Sequence, residues 1–405
     1  MTTISKITWD AASARRTERQ FLAGAVARAG AGTPVAEVVG AMMGAHAQVL
    51  SAAEVSVGVR TSGLTRADVR TALWDDRSLI KTYGPRGTVH LLPARELPLW
   101  SAALTAIPTG PGPHRADVRL TEEQAAQVVA AIGEALDGTC LTLDELTEEI
   151  VARTGPWAGE RVMPAFQDLW PRWRQVLHRA GWAGTLCFGP NRGRKATYTR
   201  PPVVAAAVPP VAGAGGGAGG GTAAGPGGAL ATFVRRYLHA YGPATPQHFA
   251  KWLAAPAGWA GTVFRELAAA GGIEEVDFEG ARAWVAAGDT DFPDGPARGV
   301  RLLPYFDAYA IATQPRERLF PGAAYERALA GGQAGNYPVL LVDGVVAGVW
   351  HQRRRGRRTT VTVEPLVRLT ARQERELGEQ AERVGEVLEA KAELVMGEVR
   401  VGPHA

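Results

Sequence analysis

The sequence is poor in cysteine, in lysine and in long apolar runs. Two cysteines, Cys140 and Cys187, stand in 405 residues, which excludes a disulfide scaffold and any cysteine-rich zinc site. No apolar run reaches the roughly 18 residues of a spanning helix. Met1 to Gln20 alternates charge and has no apolar core, unlike a signal peptide. A soluble cytoplasmic protein without a membrane segment is expected. Cys-x-x-Cys, His-Glu-x-x-His and Gly-x-Ser-x-Gly are all missing, and the eight histidines are scattered away from carboxylates. No metal and no cofactor is therefore expected.

Of 44 basic residues five are lysine, at 6, 81, 195, 251 and 391, against 40 acidic residues and a formal net charge of +4. The planar fork of arginine suits phosphate. A GC-rich genome also writes Arg for Lys, so position must decide what the arginines do.

The fold class expected is α+β, with three tandem winged-helix motifs forming a concave scaffold and a small C-terminal β-rich subdomain under a covering helix. Residues 1–118 form the first unit. It reads as a basic-faced helix over Asp10–Ala29, helices over Pro34–Met43 and Ala52–Arg60, and one capped by Thr65 through Trp74. Strands over Arg77–Tyr83 and Thr88–Leu92 then turn about Gly84-Pro85-Arg86-Gly87. Residues 119–203 repeat that outline, with Thr142 capping Leu143–Arg153, Pro171 opening Arg172–Ala180, and strands flanking the turn from Gly189 to Lys195. Residues 204–228 hold 21 Ala, Gly or Pro in 25 positions and read as a linker. Residues 229–298 give the third outline, ending in a hairpin about Glu279-Gly280. Residues 299–405 read as strands, with Leu377, Ala381, Val384 and Leu388 at helical spacing on a covering helix.

A DNA-reading helix must offer positive or neutral side chains. In the first unit Asp68, Asp75 and Asp76 cancel Arg66, Arg70 and Arg77, and the third hairpin is acidic. The second unit offers Arg172 and Arg174 on its helix and Arg192, Arg194 and Lys195 on its turn. The densest cluster is Arg353, Arg354, Arg355, Arg357 and Arg358, at a turn between two strands, where a tip can grip flanking phosphates.

One connector between helices carries chemistry: Gly44-Ala45-His46-Ala47-Gln48-Val49. Residues two apart in an extended segment point the same way, so His46 and Gln48 are expected to face one space.

The chain resembles the AlkZ-type DNA glycosylases, bacterial winged-helix proteins acting on alkylated DNA. Matching residues are Arg15-Arg16 with Gln20, Ala45-His46-Ala47-Gln48, Ala72-Leu73-Trp74, Ser78-Leu79 and Arg86-Gly87-Thr88-Val89-His90-Leu91. Leu302-Leu303-Pro304-Tyr305-Phe306-Asp307 and the run from Pro338 to Gly344 also match. The resemblance implies that a Gln-x-Gln motif holds the hydrolytic water. Gln48 matches its second member, and His46 stands where the first Gln is usual. An N7-alkylguanine is cationic and leaves as a neutral base, so it needs little acid help. His46, at an ordinary pKa near 6.5, is expected to position the water or act as general base, typically worth about 10²–10⁴-fold.

The resemblance thus implies a monofunctional DNA glycosylase, acting on duplex DNA that carries alkylated guanine or a bulky adduct. Lys81 is the lysine nearest the motif, and none is placed as a Schiff-base nucleophile. Tyr305 and Asp307 alternate with Tyr309 on a strand-like face; they read as structural polar groups where strand meets loop, with an approach to the lesion as the alternative, while His90 reads as structural. Trp157 and Trp182 are candidates to stack bases. A monomer associated with the nucleoid, serving repair or self-resistance to an alkylating natural product, is the expected setting. The rivals are a non-catalytic winged-helix regulator and a damage-binding protein.

Overall fold

The computed structural model describes residues 4–27, 34–108, 110, 114–165, 168–202 and 226–402. Thr8 accepts a hydrogen bond from the Ala11 amide and starts a helix over Trp9–Arg19. The helix expected to reach Ala29 stops ten residues short, and residues 28 and 29 lie outside the described ones. The Gln20 amide returns to the Arg16 carbonyl, Phe21 takes φ +56°, and Leu22 turns into the core. Nor is its basic face solvated. Arg15 lies 3.2 Å over the Phe292 ring, and Arg16 donates to the carbonyls of Gly242, Pro243 and Gln314. Arg19 grips both oxygens of Asp289, at 2.8 and 2.6 Å. These arginines tie the start of the chain to segments more than 200 residues away, and none faces outward as a phosphate-binding stripe would.

Among the described residues, three antiparallel hairpins that follow groups of helices gain a third strand. Leu79–Tyr83 pairs with Val89–Pro93, which also pairs with Ala45–His46. Cys187–Arg192 and Lys195–Thr199 are joined by Cys140–Thr142. Ile273–Phe278 and Ala281–Ala286 are joined, in parallel, by Lys6–Ile7. That last pairing sets the beginning of the chain against the third hairpin. The helices before the hairpins start where side-chain oxygens can satisfy free amides. Thr65, Thr142 and Thr245 each cap a helix with a reciprocal bond from the third helical residue. In the second group the expected Arg172–Ala180 helix is a 3₁₀ turn over Arg172–Val176 followed by an α-helix over Leu177–Trp182.

Residues 204–225 of the expected linker lie outside the described residues, whereas its end is helical: the next helix runs Pro226–Tyr241. Proline is favoured in a first turn, where its missing N–H costs nothing.

The C-terminal part is a five-stranded sheet in the order Val300–Leu303, Val339–Val342, Val345–Arg355, Arg358–Pro365, Lys391–Met396. The last strand runs parallel to its neighbour because the Ala371–Val387 helix carries the chain back across the sheet. Leu377, Ala381 and Val384 bury the apolar stripe of that helix, as their spacing predicts. The same helix reaches the Leu50–Gly58 helix, where Arg383 donates to the carbonyls of Gly58 and Leu64. A Cβ at Gly58 would run into Val387, so glycine lets the two helices touch. No helix among the described residues is long and apolar enough to cross a membrane.

Candidate active site

His46 ends the two-residue strand Ala45–His46, opposite His90 in the register. The ladder continues through the Ala47 amide to the Val89 carbonyl, 2.7 Å, and then the chain leaves the sheet. His46 is therefore buried, 8% exposed, while Gln48 stands exposed beyond Ala47. The expected shared face divides in depth: the imidazole is buried and Gln48 is exposed.

Two rings enclose the imidazole. Phe306 lies 4.4 Å away with planes 33° apart, and His90 meets it edge-on at 5.2 Å and 74°. His46 Nδ1 is sealed from solvent without a hydrogen-bond partner. Burial first, and the Arg86 guanidinium second, push the His46 pKa from 6.5 down to about 3. That departs from the ordinary value assumed for the sequence: near neutral pH His46 is an uncharged acceptor and a weak base. Arg86 is fixed by a 2.7 Å bond to the Trp252 carbonyl. Burial, and then the His46 and Arg86 neighbours, hold His90 neutral too.

The backbone around these rings is strained. Met43, Arg86 and Phe306 adopt φ of +53°, +61° and +56°, each a left-handed conformation that costs a side chain of order 1 kcal/mol. Such outliers persist where packing over-determines them, and they collect at functional sites. Here they aim Gly44 into the His46 strand, Arg86 beneath the histidines and Phe306 over the ring.

Asp307 does not face a lesion space. It is fully buried, and its oxygens take Arg60 Nη1 and Nη2 at 2.7 and 2.8 Å and the Ser56 hydroxyl at 2.5 Å. The strand-like face expected across Tyr305, Asp307 and Tyr309 is absent, because the strand ends at Leu303 and Asp307 caps a short helix over Ala308–Ala312. Tyr305 is half-buried beside Phe306, 6.3 Å between rings. Asp307 instead clamps Ser56 and Arg60, at the helix that follows Gln48, to the C-terminal part. Phe306 was hidden within a matched motif, and only its neighbours in space reveal its place. Lys81 pairs across from Leu91, so its side chain leaves the sheet on the face opposite His46 and His90, 4.9 Å from the Phe188 ring. Trp182 donates to the Gly84 carbonyl and Trp157 to that of Thr154.

A family model for DNA glycosylase AlkZ-like proteins matches residues 39–387. The chain belongs to the AlkZ-like DNA glycosylases. A curated relative from Streptomyces sahachiroi, an interstrand DNA cross-link repair glycosylase, is 33% identical over 356 residues, 85% of this chain and 88% of its own. The solved Streptomyces sahachiroi DNA glycosylase AlkZ superposes with a TM-score of 0.72 at 27% identity, over 96% of this chain and 100% of that one. Family membership sets aside the non-catalytic regulator: the chain is an enzyme, a DNA glycosylase.

For a DNA glycosylase the exposed cations matter next. In the second group of helices most are already neutralised. Arg172 bonds Glu160 at 2.5 Å, Arg192 holds Glu145 at 2.7 Å, and Lys195 holds Asp144 at 2.7 Å. Arg174 stacks on Trp170, 3.8 Å from the ring, and Arg194 is exposed. The cluster from Arg353 to Arg358 is different. All five arginines are exposed at a two-residue turn, and no ion pair joins them to a carboxylate among the described residues. Arg353, Arg355 and Arg358 share one sheet face with Lys391, and Glu393 is the one carboxylate in the same rows.

Proposed function

We propose that this AlkZ-like enzyme is a monofunctional glycosylase that hydrolyses the N-glycosidic bond of N7-alkylguanine or a related bulky adduct in duplex DNA. The observation that carries the reading is a buried, ring-enclosed imidazole at position 46, held neutral by its burial, two residues before an exposed carboxamide, Gln48. Neutral acceptors can orient a water and lend partial negative charge to the sugar cation, but they activate that water little. Such a site suits a leaving group that is already cationic and spares intact nucleosides. His46 acts by positioning the water, since an imidazole of pKa about 3 gives little proton-accepting drive at neutral pH. Lys81 on the opposite face of the sheet supports a hydrolytic, not a Schiff-base, route.

Each three-stranded hairpin with its helices is read as a winged helix, in residues 1–118, 119–203 and 229–298, with 299–405 as the β-rich subdomain. The arginine tip at 353–358 is the principal phosphate contact of that subdomain, with Arg172, Arg174, Arg192, Arg194 and Lys195 as secondary ones. The protein works as a cytoplasmic, nucleoid-associated monomer in repair or in self-resistance to an alkylating natural product. In support, the relative from Streptomyces sahachiroi bears a cross-link repair name.

The test is incubation of purified protein with duplex DNA carrying N7-alkylguanine, then heating in alkali to break abasic sites. Breaks are expected with wild type and strongly reduced with His46→Ala and Gln48→Ala. Equal breakage by wild type and both variants overturns the site assignment. Adduct binding without breaks would instead leave a damage-binding protein.

A further inference from the structure

His90, expected from the sequence to be structural, lies in ring contact with His46. Its Nδ1 lies 2.9 Å from the Thr88 carbonyl. A carbonyl only accepts, so Nδ1 carries the proton, and Nε2 of the neutral ring is left as an acceptor. The ring is held in place from behind: a Cβ on Gly84 would stand 2.8 Å from it, and one on Gly44 3.6 Å. Trp182 secures Gly84 through its carbonyl at 3.0 Å, so the second group of helices also supports the ring. His90 and His46 sit opposite each other on adjacent strands, on one face of the sheet, in edge-to-face contact at 5.2 Å.

We propose that His90 is a positioning residue: with its tautomer fixed by Thr88, it sets the plane of the His46 imidazole from one side while Phe306 sets it from the other. An edge-to-face contact with a ring of one tautomer removes the rotation that an isolated buried imidazole would retain. A hydrolytic water held by His46 then has one orientation. A misplacement of about 1 Å at a reacting centre can cost on the order of 10²-fold in rate, so the effect belongs in the chemical step and not in DNA affinity. The inference rests on the reading of His46 as the water-positioning group.

The experiment compares His90→Asn, His90→Phe and His46→Ala by single-turnover excision of N7-alkylguanine from duplex DNA, with lesion-DNA affinity and thermal stability measured alongside. Asparagine can keep the N–H to Thr88 without the ring, whereas phenylalanine keeps a ring without the fixed tautomer. Expected is a fall of about 10–10²-fold in excision rate for His90→Asn, a smaller fall for His90→Phe, and affinity within about twofold for both. An unchanged rate in either folded His90 variant, beside an inactive His46→Ala, overturns this inference and leaves the site reading intact. A loss that appears only in affinity overturns it too. If His46→Ala is itself fully active, the site reading fails instead. Should His90→Asn not fold, His90→Phe decides alone.

Discussion

The Phe306 ring covers the His46 imidazole at 4.4 Å although 260 residues separate them in the chain. Phe306 reaches it only by adopting φ +56°, with its amide bonded to the Gly335 carbonyl at 3.0 Å. Gly335 must be small here, since a Cβ would stand 3.0 Å from the Phe306 ring. Phe306→Ala should open one side of the histidine to water. The His46 pKa is then expected to rise from about 3 towards 6.5, because burial is its largest cause. Excision should slow by about 10-fold or more through lost orientation. NMR titration of the histidine and single-turnover kinetics check the two effects, and an unmoved titration would refute the contact.

The Arg60–Asp307 pair clamps the helix after Gln48 to the C-terminal part, and both side chains are fully buried. Removing one member leaves the other charge uncompensated, a loss of about 3–5 kcal/mol. Arg60→Met and Asp307→Leu should each destabilise by that amount in urea unfolding. The double variant should recover a substantial part, because an apolar pair of similar volume needs no desolvation. Additive losses would show that the pair does not act as a unit.

Much of this architecture was legible in the sequence where local chemistry decides it. Thr65 and Thr142 cap helices where hydroxyls precede helical spacing, and Leu377, Ala381 and Val384 bury one stripe of the covering helix. What was not legible depends on partners far along the chain. The first helix carries no stop signal at Arg19; it ends because Leu22 has a core to enter. Its arginines look like a phosphate face until the carbonyls of Gly242, Pro243 and Gln314 are beside them. His46 and Gln48 were legible as a pair, but not their difference in depth, which the pairing with Val89–Pro93 imposes. Asp307 was legible as a structural polar group where strand meets loop, but its partner was not, because Arg60 lies 247 residues away in the chain.

The buried histidines fix the sign of the acid response. His46 in the folded state, near 3, lies below its unfolded value near 6.5, and His248 is likewise lowered to about 4. As pH falls below about 6.5 the unfolded chain takes up protons first, so stability is complete above that value and lost as pH falls towards the folded values. The His46 contribution alone is on the order of 2 kcal/mol by pH 5. Chemistry should respond differently. With His46 neutral throughout, single-turnover excision is expected to be flat between roughly pH 5.5 and 8. A sigmoid rise centred near 6.5 in enzyme that remains folded would restore His46 as a general base of ordinary pKa.

The two basic regions should separate in salt. Arg192 and Lys195 are held by Glu145 and Asp144, so contacting phosphate first requires giving up an ion pair. Arg353, Arg355 and Arg358 lie exposed on one face with no such partner to surrender. Each phosphate contact contributes about −0.9 to the slope of log affinity against log salt for duplex DNA. Changing Arg353, Arg355 and Arg358 to Ser should therefore weaken duplex binding and flatten the slope by about 2–3. The Arg192→Ser/Lys195→Ser variant should move it by less than about 1. Because phosphate contacts carry no sequence information, the loss should be equal for adducted and intact DNA. A loss confined to adducted DNA would make the tip a reader of the lesion itself, and an unchanged slope would remove it from the DNA interface.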